Sequence, residues 1–208
     1  MRVLVTGGSG VLGRATISRL RVENHDVFAP SRAELDLFDG RAVAGAVQGI
    51  DAVMHLATRI PREDPFEHPE AWRENDLLRF EATRILVDAA LDADVGVFVQ
   101  PSVTFVEPDE QGHVPVHLRS ALVAEREALR FAGAGRRGLV LRFGLIDGGG
   151  SRIERPNNVY GATLHADDAG SALVAALRLP SGVYNVCRDG ERVSNDRFKR
   201  ASGWRPTR

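Results

Sequence analysis

The chain reads as a doubly wound α/β domain, a parallel sheet with helices on both faces. Three observations predict this. Short apolar runs of strand length alternate along the chain with segments whose apolar residues recur at helical spacing. The first strand-to-helix junction carries glycines at positions 7, 10 and 13. The 208 residues, 43% hydrophobic and 26% charged, suit one ordinary core. Residues 1–208 are therefore expected to form a single domain.

The elements follow in order. "RVLVT" is an alternating apolar strand that ends in glycines, and Val11, Leu12, Ala15 and Leu20 then mark a helix. "HDVFAPSR" supplies a second short strand, "GRAVAGAVQG" a small-residue helix, and "DAVMHLAT" a third strand ending near His55. A helical stripe follows at Leu78, Ala82, Ile85, Leu86 and Ala89, before the strand "VGVFVQ". "HLRSALVAEREALRFAGA" is the next helix and "GLVLRF" the next strand. "DDAGSALVAALRL" is a further helix, followed by the strand "GVYNVC". Strands buried between two helix layers need no polar face, which suits their near-continuous apolar character.

Composition narrows the partners. Lys+Arg of 27 against Asp+Glu of 28 leaves a net charge of -1, without the basic excess that nucleic acid or an acidic membrane surface would call for. A small molecule is the expected partner. The single cysteine, Cys187, has no intrachain partner, and the N-terminus has arginines and a glycine loop where a signal peptide needs an apolar core. A reducing cytoplasm is expected. No apolar run is long enough to cross a bilayer, and no repeat interrupts the chain.

"TGGSGVLG", residues 6–13, carries the chemistry of a dinucleotide site. Glycine there permits a tight turn, close approach of backbone to a diphosphate and close helix–strand packing, while the helix N-terminus favours the negative charge. The segment resembles the Thr-Gly-x-x-Gly-x-x-Gly signature of extended short-chain dehydrogenases and the related nucleotide-sugar epimerases and dehydratases. Further stretches agree in order: "LDLFD" at 35–39, "DAVMHLA" at 51–57, "HADDAG" at 165–170 and "SGVYNVC" near the end. The resemblance spans almost the whole chain and implies a Rossmann-type sheet. It places Gly7, Ser9, Gly10, Val11, Leu12 and Gly13 at the diphosphate, Asp36 and Leu37 beside the adenine, and Leu56, Ala57 and Thr58 at the inner phosphate and ribose. Phe143, Gly144 and Leu145 fall at the nicotinamide end.

After the second strand, Ser31 and Arg32 stand where an acidic residue would hold the ribose hydroxyls of NAD. A hydroxyl followed by a guanidinium suits a 2′-phosphate, so NADP(H) is the expected cofactor. In the competing reading Arg32 is a solvated surface residue and Glu34 binds the ribose.

The family's proton donor is missing. Its Tyr-x-x-x-Lys pair would fall at the start of the helix near residue 117, where this chain has His117 and Ala121, with Glu125 continuing the pattern. The tyrosines are Tyr160 and Tyr184 and the lysine is Lys199, so no Tyr-x-x-x-Lys exists anywhere. A lysine favours the ionised phenol, and without the pair that route to proton transfer is closed. Three weaker candidates remain. Ser102 or Thr104 in "QPSVTF" can each donate to a substrate carbonyl or satisfy local backbone, and His117 can titrate near neutrality or simply pack. His113 and His117 are separated by Pro115, which argues against a helical metal pair, and no metal site is expected.

Residues 145–164, entered through Gly148–Gly150, replace the much larger substrate-binding region of the sugar-modifying relatives. They are expected to form a short lid or hairpin, with Tyr160 upon it. A compact, largely apolar ligand fits this reduction. Three functions follow: an NADPH-dependent ketoreductase whose substrate or water manages the proton, a non-catalytic NADP(H) sensor, or non-redox catalysis in the same pocket. The lid and the retained "LRFG" favour the reductase. The missing pair and short lid also resemble tyrosine-less ketoreductases that tailor angucyclinone-type aromatic polyketides in antibiotic pathways. By analogy with extended relatives, a homodimer through the helices near 70–92 and 117–133 is expected; Ala121, Ala124 and Ala128 would permit close packing there, and a core-facing role explains them equally well.

Overall fold

The computed structural model describes residues 1–61, 69–106, 114–152 and 162–208. Six strands form one parallel sheet: β1 (Arg2–Thr6), β2 (Asp26–Phe28), β3 (Ala52–His55), β4 (Val97–Val103), β5 (Arg137–Phe143) and β8 (Gly182–Val186). Their spatial order is β2-β1-β3-β4-β5-β8, which reverses direction between β1 and β3. Ligands of such sheets bind outside the carboxyl ends of the strands at that switch.

Two apolar layers cover the sheet. On one face α1 (Val11–Val22) and α6 (Ala166–Ala176) pack over Val3, Val5, Met54, Val99, Leu139 and Leu141. On the other face α2 (Gly40–Ala46), α4 (Thr83–Asp92) and α5 (Arg119–Arg130) close over Leu4, Val53, Phe98 and Val140. Alternate residues of each strand serve opposite layers, which is why the strands read as continuous apolar runs. Leu86 and Ala89 of the predicted stripe are buried in the second layer, and Ile85 packs against it. α7 (Asp196–Ser202), which the apolar pattern does not announce, inserts Phe198 between Tyr184 and Trp204.

The helix preceding β4 is irregular. A short 3-10 turn (Pro69–Trp72) leads into α3 (Arg73–Leu77), and a π turn (Leu78–Ala82) joins α3 to α4. The Leu78 carbonyl, released from the regular ladder, accepts the Thr83 hydroxyl at 3.2 Å and lies 3.2 Å from Nε2 of His55.

The sequence expectation is corrected at two places. β6 (Leu145–Asp147) and β7 (Thr163–His165) pair in parallel register, Leu145 opposite Thr163, so they are not the arms of a hairpin. Gly148 to Gly150, expected as a flexible entry, all take the left-handed region. A Cβ on Gly148 would strike the His165 ring, and one on Gly149 would sit 2.7 Å from Ala166 Cβ. Tyr160 and His113 lie outside the described residues. Ala121, Ala124 and Ala128 face the chain's own core rather than a partner. Among the described residues no helix is long and apolar enough to cross a membrane.

Candidate functional site

A cleft of about 520 Å³ opens at the carboxyl ends of β1, β2 and β3. Its floor is the glycine loop. Gly7 has φ +71° and passes so close to β3's exit that a Cβ would lie 2.6 Å from the Ala57 backbone. A Cβ on Gly13 would collide with the Gly7 carbonyl oxygen and lie 2.7 Å from Gly8 Cα, so this glycine sets how tightly α1 docks on the loop. Gly10 is the N-cap of α1 and offers no side chain to its first amides, among them those of Val11 and Leu12. Uncapped donors at a twelve-residue helix, facing a wide cleft, are what a diphosphate requires.

The sequence-predicted residues Gly7, Ser9, Gly10, Ser31, Arg32, Asp36, Leu37, Leu56, Ala57 and Thr58 all line this cleft. Val11, Leu12 and Gly13 stand directly behind it as the first turn of α1. Phe143, Gly144 and Leu145 do not line it: the Phe143 side chain belongs to the core, and Gly144 is the point where the Ala162 backbone crosses within 2.6 Å of a would-be Cβ. Sequence reasoning did not reach Phe38, Arg59, Leu77 and Leu78, which complete the walls. Phe38 lies within the recognised acidic segment and could have been inferred; the two leucines reach the cleft only because α3 and the π turn lie across it.

At the adenosine end the Ser31 amide donates to Glu34 Oε2 at 2.8 Å, and the Ser31 backbone and hydroxyl together hold the Glu34 carboxyl below its ordinary range. This is a Ser-x-x-Glu capping arrangement on one turn. It occupies Glu34 and Ser31 with each other and leaves Arg32 as the exposed cation of the wall. Asp36 Oδ1 accepts from the Phe38 amide at 3.0 Å.

The catalytic candidates lie on β4 and at the start of α5. Ser102 and Thr104 are 6% and 5% exposed, and neither hydroxyl has a hydrogen-bond partner in the structure. Buried hydroxyls in that state carry a desolvation cost that a ligand carbonyl could relieve. The ring of His117 stacks on Trp72 with centroids 5.1 Å apart, and burial together with the nearby Arg79 charge pushes its pKa down. Ala121 packs against Val106 and Leu118 in a small apolar cluster. Four residues on, Glu125 forms a two-bond ion pair with Arg142 of β5, at 2.9 and 2.8 Å, with side-chain exposures of 6% and 15%. Tyr184 donates its hydroxyl to the Pro180 carbonyl, and Lys199 is paired with Asp189 at 2.6 Å. Neither lines the cleft. Among the described residues no group of three or more metal-ligating side chains gathers.

His55 at the end of β3 is buried between Thr6, whose hydroxyl is 2.7 Å from Nδ1, and the Leu78 carbonyl. A carbonyl only accepts, so Nε2 carries the proton and Nδ1 receives the Thr6 hydroxyl. Burial pushes the His55 pKa from 6.5 down to about 4. The native state therefore binds fewer protons than the unfolded chain between those values. The stabilisation is complete above pH 6.5 and is lost as pH falls through about 4, by roughly 3 kcal/mol. Urea denaturation from pH 7 to 4 should show this loss, and His55→Gln should flatten that part of the profile; an unchanged slope in the variant would assign the acid lability elsewhere.

Comparison with known proteins follows from this geometry. A family model described as the NAD dependent epimerase/dehydratase family matches residues 3–124. A 3-diazoavenalumate denitrifying reductase from a Streptomyces species is 33% identical over 223 residues, covering 85% of this chain and 72% of the relative. The chain belongs to the NAD-dependent epimerase/dehydratase family. A 3-beta-hydroxysteroid dehydrogenase of Mycolicibacterium neoaurum is 34% identical over 112 residues, 47% of this chain but 31% of that protein. RMD from Pseudomonas aeruginosa, solved with NADPH, superposes with a TM-score of 0.78 at 21% identity, covering 100% of this chain and 95% of the other. A short-chain dehydrogenase/reductase superfamily protein from Agrobacterium tumefaciens, solved with NAD, gives 0.77 at 19%, covering 100% and 93%. Family membership, with relatives named as reductase and dehydrogenase, makes this epimerase/dehydratase-family chain an NAD(P)-dependent oxidoreductase. Its uncapped α1, close-packed glycines and open cleft fit a nicotinamide dinucleotide.

Proposed function

We propose that the protein is an NADPH-dependent reductase that delivers hydride to a compact, largely apolar acceptor which supplies its own activation. The observation that carries this reading is the replacement of the family's acid by His117, stacked on Trp72, and of its lysine by Ala121, enclosed in an apolar cluster. Bound in the cleft, the dinucleotide supplies the hydride. The glycine loop and the first turn of α1 hold its diphosphate, and Arg32 takes the 2′-phosphate that distinguishes NADPH. Ser102 and Thr104 are the hydroxyls available to orient the acceptor. A ketone beside a phenolic hydroxyl, as in aromatic polyketides, hydrogen-bonds its own carbonyl and stabilises the developing alkoxide without a tyrosine.

A second reading is favoured by the Streptomyces relative, whose name describes removal of nitrogen from a diazo acid. A diazonium group already bears positive charge. Its terminal nitrogen can take the hydride to give an aryl diazene; the carbon–nitrogen bond then breaks, the hydrogen on nitrogen passes to that carbon and dinitrogen leaves, so no net proton is needed from a side chain. Both readings need a cleft that positions reactants rather than one that titrates.

Single-turnover oxidation of NADPH with polycyclic hydroxyketones and with aryl diazonium acids tests them. His117→Phe should slow the chemical step only a few-fold, whereas a general acid contributes about a hundredfold or more. Methylating the neighbouring hydroxyl should slow a self-activated ketone strongly. A nearly inactive His117→Phe enzyme with an unimpaired methyl ether would reverse the assignment, and preference for NADH would remove the role given to Arg32. We further propose a homodimer across the α3–α4 and α5 helices, where Phe80 and Leu129 are exposed.

A further inference from the structure

Arg79 carries a guanidinium that the fold leaves largely unused. It follows Leu77 and Leu78, both of which line the cleft, and belongs to the π turn whose widened geometry brings this residue against the start of α5. Its one hydrogen bond runs from Nη1 to the His117 carbonyl at 3.5 Å, at the limit of such a contact. A guanidinium has five N–H donors. Asp76, three residues earlier, accepts the Ser120 hydroxyl at 2.6 Å and forms no ion pair with Arg79, nor does any other carboxylate among the described residues. The side chain is nonetheless half-buried, and burial pushes its pKa down against the opposing charge of Asp76. A partly desolvated cation with no carboxylate in direct ion-pair contact among the described residues gains when a ligand supplies one.

We propose that Arg79 anchors a carboxylate on the hydride acceptor, which makes the acceptor class a planar aromatic or conjugated carboxylic acid. This rests on the oxidoreductase reading above. The planar fork of a guanidinium matches a carboxylate with two parallel hydrogen bonds, and the adjoining surfaces are an aromatic stack of His117 on Trp72 and the two cleft-lining leucines. A flat apolar body bearing one acid group satisfies both. Arg79 then fixes the acid end of the acceptor beside the start of α5.

Calorimetry on the protein loaded with whichever nicotinamide dinucleotide it binds more tightly tests the proposal, using 4-hydroxycinnamate and its amide as probes. The carboxylate should bind at least about tenfold more tightly than the amide. Arg79→Met should abolish that difference, Arg79→Lys should restore part of it, and the affinity for the dinucleotide and the thermal midpoint should stay close to wild type in both. Equal binding of acid and amide, binding of neither, or an acid preference that survives Arg79→Met would overturn the assignment. Because binding is read without turnover, carboxylate binding that depends on Arg79 in a protein that reduces no probe would leave the anchor standing and count against the proposed reaction instead.

Discussion

Gly13→Val is expected to lower dinucleotide affinity by at least about a hundredfold and to depress the thermal midpoint as well. The first Cβ atom would collide with the Gly7 carbonyl oxygen and lie 2.7 and 2.8 Å from Gly8 backbone atoms, none of which can swing aside as a side-chain tip does. α1 must therefore lift from the loop, which carries its uncapped amides away from the diphosphate and opens the core layer that Leu20 and Val5 share. The same displacement should release Gly7 from the Ala57 backbone. Thermal unfolding with and without NADPH separates the two effects: the variant should lose most of the ligand-induced rise in midpoint in addition to its own lower baseline. A folded variant with wild-type affinity would show that close docking of α1 is not what builds the site.

Glu125→Ala is expected to cost about 3 kcal/mol of stability. Glu125 and Arg142 are joined by two charge-assisted bonds between α5 and β5, and truncation removes both of these bonds from a mostly buried guanidinium. The pair also ties α5 to the strand adjacent to β4, so its loss should loosen the region of Ser102 more than the glycine loop, on the far side of β3. Urea denaturation gives the magnitude. Glu125→Leu combined with Arg142→Met should recover most of the loss, because replacing both partners leaves no uncompensated charge. If the double variant is no more stable than the single one, the ion pair is not the source of the cost.

What the sequence by itself determined about this protein is its sheet, its glycine loop and most of one cleft. Those features are local in origin. A continuous apolar run followed by Gly7, Gly10 and Gly13 leaves few backbone paths other than strand, tight turn and helix, and the residues lining the cleft from 7 to 10, 31 to 37 and 56 to 58 lie at strand exits that the alternation of elements already locates. The absence of a Tyr-x-x-x-Lys pair is likewise a fact of the residues alone. Other features depended on chain segments far apart in sequence. Phe143 was expected at the nicotinamide end from its place in the chain, and the alternation of β5 turns its side chain into the core. Ala121, Ala124 and Ala128 suit an interface or an interior equally by size, and only the packing of α5 on β4 and β5 decided for the interior. Leu145–Asp147 and Thr163–His165 pair in parallel, a register set by where α6 and β5 bring their ends. That Asp76 and Arg79 make no direct ion pair could not be read from their spacing in sequence, which would ordinarily mark them as partners. Ser120, forty-four residues further on, takes that carboxylate by a hydrogen bond that exists only once α5 has docked.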